Sequence, residues 1–222
     1  RQKTYTWIDE HAMAFDQMSD TIWELAEPAF CEHRSSVLQM EFLQKKGFRI
    51  RLPIDGMDTA FIAECGSGEP VIAILGEYDA LPGLSQKADC VQQEPIPERT
   101  AGHGCGHHLL GTAGVEAVCA IQQTMAIGGL SGTIRYYGCP AEEGGGGKVF
   151  LIRSGALEDV DVAISWHPDV ETKLMNQSLS CVMTRFRFKG IAAHAANNPS
   201  AGRSALDAAE LMNTGVQYLR EH

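Results

Sequence analysis

Four short runs carry side chains able to hold a metal ion or move a proton. They are Gly76-Glu77-Tyr78-Asp79, Gly102-His103-Gly104-Cys105-Gly106-His107-His108, Pro140-Ala141-Glu142-Glu143-Gly144 and Trp166-His167-Pro168-Asp169. In Cys105-x-His107 the two side chains share a face if the turn is extended. Thiolate and imidazole suit a borderline cation such as Zn2+, and added carboxylates admit Mn2+. The competing reading is a glycine-rich turn with a buried thiol and a helix-capping imidazole, and the pair alone does not choose between them. Glu142-Glu143 places adjacent carboxylates in different directions, so one can ligate while the other accepts a proton from an attacking water. An acidic surface turn is the plainer alternative, but Pro140 before the pair and the glycines 144–147 after it argue for a fixed backbone. His167, behind the apolar run Ala163–Trp166, is either a satisfied core histidine or a ligand. Three other ligand-bearing runs favour the ligand. Asp79 either closes a turn before Ala-Leu-Pro or orients a ligating histidine.

These runs need a scaffold that brings them together. Apolar residues from Trp7 to Ala26 recur at helical spacing until Pro28, and a second helix is predicted from Ser35 to Lys46. Strands are predicted over Ala60–Cys65, Val71–Leu75 and Thr133–Cys139, with a buried strand over Val162–Trp166. A long helix starts near Gly106 and a short one covers Lys148–Ser154; the polar stretch Gln86–Thr100 reads as a loop. This alternation predicts an α/β fold, a mainly parallel sheet sandwiched by helices, with ligands at the carboxyl ends of the strands. From Ser178 the texture changes. Thr184–Lys189 alternates as a strand with one wet face, and a helix runs from Ser204 to His222. The expected organisation is a catalytic domain over 1–177 and the start of a truncated α+β lid domain over 178–222.

Composition narrows the function classes. The chain has 222 residues, 44% of them hydrophobic, which suits a packed core and excludes wholesale disorder. Eighteen basic against 28 acidic residues leave a net charge of −10, the opposite of a nucleic-acid-binding footprint. No apolar run approaches the roughly 20 residues of a spanning helix, and no signal-like segment opens the chain. Seven cysteines without a CxxC pair are expected to be reduced thiols, so a cytoplasmic protein with no membrane partner is expected. Gly144–Lys148 is not a phosphate loop, because Glu142 stands at the first Walker glycine and Val149 at the Ser/Thr. Neither GxGxxG nor GxSxG occurs.

Cys105-Gly106-His107, Pro140-Ala141-Glu142-Glu143-Gly144, His167-Pro168 and Gly190-x-x-Ala193-His194-Ala195 fall in an order that resembles the M20 metallopeptidase family. Their wording is similar to its amidohydrolase branch, and Gly102–Thr112 to members acting on aminobenzoyl-glutamate. The resemblance implies two divalent metal ions, Mn2+ or Zn2+, held by Cys105, His107, Glu143 and His167. It makes Glu142 the general base and Asp79 an orienting residue. His194 would reach a partner's site across a dimer to stabilise the oxyanion, and Asn176 and Arg203 would hold substrate. The implied activity is hydrolysis of the amide bond of an N-acyl or aminobenzoyl amino acid such as p-aminobenzoyl-glutamate, by a homodimer or a heteromer with a related subunit. Alternatives are an aminoacylase or dipeptidase on another substrate, a non-catalytic companion subunit, and a closed structural metal site. His108 stands where most of the branch has Asp, and a further His ligand is expected beyond residue 222.

Overall fold

The computed structural model describes residues 2–174 and 179–221, which form two compact units, Arg1–Lys173 and Leu174–His222. In the first, α1 (Gln2–Leu25) and α2 (His33–Lys45) lead into β1 (Arg49–Arg51), β2 (Phe61–Ser67) and β3 (Val71–Gly76). A small antiparallel pair, β4 (Leu81–Pro82) and β5 (Ala101–Gly102), precedes the long α3 (His107–Gly128). Then follow β6 (Gly132–Gly138), a broken turn α4 (Glu142–Gly145), α5 (Gly147–Arg153) and β7 (Val162–Ile164).

The sheet order is β1-β2-β6-β3-β7. It is mixed: β1 and β2 join antiparallel, while β6, β3 and β7 run parallel. Strand residues alternate between two cores, as a period of two requires. Phe61, Ala63, Ile74, Ile134 and Tyr136 pack beneath Phe15 and Ile22 of α1, Leu43 of α2 and Val118 of α3. Ala60, Ile62, Ala73 and Tyr137 face the other way, onto Leu151 of α5 and Ala156. Each large apolar side chain fully buried here contributes roughly 1.5–3 kcal/mol. The α/β sandwich expected from the alternating pattern is therefore present. Gly76 pairs with Gly138, so β3 and β6 end level, and α3 connects them by starting at that same end.

Two expectations need correction. Val162–Trp166 is not a buried strand: β7 covers Val162–Ile164, and Val162, Ile164 and Trp166 are 50%, 51% and 44% exposed. The cause is position, since β7 pairs with β3 alone among the described residues and forms the sheet's edge. In the second unit Thr184–Lys189 forms no strand, and Phe186 is exposed. Alternation marks a surface that could be half buried, but a strand also needs a partner for its backbone groups, and none lies among the described residues. α6 (Ala205–Gln217) does form, capped by Ser204, whose Oγ accepts the Asp207 N–H at 3.1 Å. A 3-10 turn, Tyr218–Glu221, follows it. No helix among the described residues is long and apolar enough to cross a membrane.

Candidate metal centre

Three parallel strands and one helix start converge on a cluster of donors. Glu77 and Asp79 follow β3, Glu142 and Glu143 follow β6, His167 follows β7, and Cys105 and His107 open α3. Gly106, at φ 79°, takes the left-handed conformation that lets the chain turn sharply between Cys105 and His107.

His107 is 1% exposed and fixed from one side: its Nδ1 donates to Asp79 Oδ1 at 2.9 Å. An ionised carboxylate only accepts, so Nδ1 carries a proton, and Nε2 is the ring nitrogen turned toward the other carboxylates. Nε2 is buried and makes no hydrogen bond, although Glu77 Oε2 lies 3.0 Å away and Glu142 Oε2 4.0 Å away. Positive charge between these groups, a proton on Nε2 or a bound cation, relieves the crowding of acceptors. Burial alone would lower the His107 pKa, but the Asp79 hydrogen bond and the charges of Glu77, Asp79 and Glu143 outweigh it and raise it. The second oxygen of Asp79 accepts the Glu143 N–H at 2.7 Å, tying the acidic turn to the same carboxylate.

Cys105 and His167 lie in a more open setting. His167 Nδ1 donates to the Pro168 carbonyl oxygen at 2.8 Å, and its Nε2 accepts the Cys105 thiol at 3.2 Å. The Cys105 thiol is pushed up to about 12 by burial, then by the hydrogen bond and charge of Glu143 and the charges of Glu142 and Glu77. Glu142 is raised by burial and by the charges of Glu77 and Glu143, against the pull of Lys148 and His107. Lys148 forms an ion pair with Glu77 and is the cation that faces this acidic group.

Donor atoms of Cys105, His107 and His167 all lie within 4.8 Å of one another, as do those of Glu77, His107 and Glu142. Two sets sharing one imidazole, with a soft thiol in one and hard carboxylates in the other, fit divalent cations such as Zn2+ and Mn2+. Of the residues singled out in the sequence, Asp79, Cys105, His107, Glu142, Glu143 and His167 are brought together. Glu142 rather than Glu143 lies in the carboxylate set around His107, whereas Glu143 adjoins Cys105. Glu77 is an addition: it stood in the Gly76–Asp79 run, and only its place directly after β3 could have marked it as a donor. His108 is not in the cluster but against His103, ring centroids 4.9 Å apart. His194 and Arg203 belong to the second unit. The His194 Nδ1 accepts the N–H groups of Ala196 and Asn197 at 3.2 and 3.1 Å, which puts its proton on Nε2. Arg203 donates to the carbonyl oxygens of Ser200 and Gly202. Asn176 lies outside the described residues.

A mixed α/β sandwich with such a cluster at its strand ends is similar to the catalytic-domain fold of the M20 metallopeptidases. The YxeP protein of Bacillus subtilis, a dinuclear metal-binding peptidase of the M20 family, superposes with a TM-score of 0.60 at 25% identity, covering 70% of this chain and 42% of that one. Over its whole length the chain is similar to a p-aminobenzoyl-glutamate hydrolase subunit of Escherichia coli, 46% identical over 226 residues and 47% of that protein. It is also 33% identical to mouse Xaa-Arg dipeptidase, over 96% of this chain and 48% of the dipeptidase. The chain thus spans about half the length of these relatives. No protein-family profile matches it.

Proposed function

We propose that the chain forms the catalytic half of a metal-dependent amidohydrolase that cleaves an N-acyl or aminobenzoyl amino acid, p-aminobenzoyl-glutamate foremost. One observation carries this reading: the buried Nε2 of His107, on a ring oriented by Asp79, faces the carboxylates of Glu77 at 3.0 Å and Glu142 at 4.0 Å without a hydrogen bond. Similarity to the Escherichia coli hydrolase supports the substrate. Two divalent cations, Mn2+ or Zn2+, would be held by Cys105, His107, His167 and Glu143, with Glu77 as a further donor. Bound there, they supply Lewis-acid chemistry, polarising a carbonyl and acidifying water.

The chain's own residues do the rest. Glu142, its affinity for protons raised by burial and like charge, takes the proton of the attacking water and returns it to the leaving nitrogen. Asp79 orients His107 and anchors the Glu143 backbone; Lys148 offsets the charge of Glu77. The segment 178–222 is assigned as the start of a lid and dimerisation domain that extends past this chain. There the Nε2–H of His194 donates to the developing oxyanion of a partner's site, while Arg203 and Asn176 hold substrate. The Escherichia coli relative is by name one of the subunits of its hydrolase, which supports a heteromer with a related subunit over a homodimer. All seven cysteines are free thiols, which supports a cytoplasmic setting.

A dipeptidase is the second reading, supported by the similarity to mouse Xaa-Arg dipeptidase. The test is metal content by elemental analysis of the full-length protein after dialysis against dilute Mn2+ or Zn2+, followed by turnover of p-aminobenzoyl-glutamate and Xaa-Arg dipeptides. About two ions per chain and preferred release of p-aminobenzoate are expected. Faster cleavage of the dipeptides would exchange the two readings, and a metal-free full-length protein would end both.

A further inference from the structure

Glu32 stands outside the metal cluster yet is completely buried, at the start of α2. Its Oε1 accepts two backbone N–H groups, from Phe30 at 3.0 Å and from Ala141 at 2.7 Å. Its other oxygen is buried and without a hydrogen-bond partner. Both donors belong to non-glycine residues in the left-handed region, Phe30 at φ 65° and Ala141 at φ 55°. Such a conformation is unfavourable for an L-residue and persists only where the surroundings impose it.

Ala141 immediately precedes Glu142. Its carbonyl accepts the Gly147 N–H at 3.0 Å, and a Cβ at Gly147 would run into the Pro140 carbonyl oxygen. Two residues on, the Glu143 N–H is held by Asp79. The acidic turn is therefore pinned at two alternate amides by two carboxylates from distant parts of the chain. One of them, Asp79, already touches the cluster; the other has no contact with it in this geometry.

We infer that Glu32 is a positioning residue: it holds Ala141 in the left-handed conformation and so aims the Glu142 carboxylate into the metal cluster. The inference rests on the hydrolase reading for its kinetic consequence but not for its geometric one. Glu32→Met keeps the volume and removes the acceptor, whereas Glu32→Gln keeps an oxygen that can accept both N–H groups.

In the full-length, metal-loaded protein, E32M is expected to lower kcat by about 10–100-fold, with KM and metal content within about twofold of the parent, and E32Q to stay near the parent. Ala141→Gly, which tolerates the left-handed φ, is expected to shrink the E32M loss to a few-fold in the double variant. The Ala141 amide, followed by hydrogen exchange, is expected to lose protection in E32M and keep it in E32Q. An E32M protein with unchanged kcat, or one that loses metal or its fold together with activity, overturns the assignment. If the parent hydrolyses no amide, the proposed function falls, and the exchange measurement still decides: protection retained in E32M overturns the positioning role by itself.

Discussion

His107 and His167 face one group of donors from surroundings of opposite character. Around His107 the side chains of Asp79 and Glu77 are 0% and 8% exposed, under α3 and against two level strand ends. His167 is exposed, follows the edge strand β7, bonds a half-buried thiol and its own neighbour's carbonyl, and meets the His107 ring edge-on at 5.7 Å between centroids. The first half of the centre is thus set by folding, because its polar atoms are dehydrated and have to find one another. The second half has no such enclosure and is held by one thiol–imidazole hydrogen bond and one bond to a backbone carbonyl.

The largest effect is expected at Glu142, in the carboxylate set around His107. Glu142→Gln should reduce kcat by about 10²–10⁴-fold while metal content, followed by elemental analysis, stays the same; retained turnover would place the base elsewhere. Next comes the direct contrast between the histidines in chelated protein. His107→Ala removes the buried imidazole from Asp79 Oδ1 and Glu77, which keep the Glu143 N–H and Lys148, and should cost ~1–3 kcal/mol in urea unfolding. His167→Ala should stay within ~0.5 kcal/mol, and equal losses would erase the distinction between the halves. Asp79→Asn keeps an acceptor for the Glu143 N–H but weakens its hold on His107. Metal affinity in a competition titration should fall about 10–100-fold, and an unchanged affinity would mean that the imidazole needs no orienting.

A smaller effect separates His107 from its sequence neighbours. Burial holds His103 and His108 at about 4, so their contribution to stability is present above the unfolded value near 6.5 and is lost as pH falls toward 4. His107 is shifted upward, so its contribution is present below 6.5 and is lost as pH rises through its folded value. In chelated protein His103→Gln should flatten the acid limb of urea stability by at most about 1.4 kcal/mol per pH unit. The amide can keep the bond that His103 Nε2 makes to the Ile22 carbonyl at 3.0 Å. An unaltered acid limb would show that His103 takes up its proton without opening the structure.

What the sequence made legible follows the range of the forces involved. Periodicity is local, so the helices and inner strands of the first unit appear where apolar spacing puts them, and the donor runs fall at their ends. Exposure of β7 and the missing strand at Thr184–Lys189 were not legible, because pattern reports what a segment could bury and not whether a partner is present to bury it. Glu77 was hidden by its neighbour Asp79, two donors in one short run. Glu32 lies 109 residues from Ala141 and carries no motif, so only the folded chain brings that carboxylate to that amide.

The crowding of carboxylates at the strand ends has a consequence for the order of assembly. Glu77, Asp79, Glu142 and Glu143 converge with Lys148 as the nearby lysine, on a chain whose net charge is already −10. The field over this face draws cations in and turns anions away. An amino-acid amide bearing a free carboxylate would therefore meet repulsion before the cations arrive and attraction afterwards. For the proposed hydrolase, loading would then be sequential by electrostatics alone, and apparent substrate affinity is expected to track metal occupancy even where no substrate atom touches an ion.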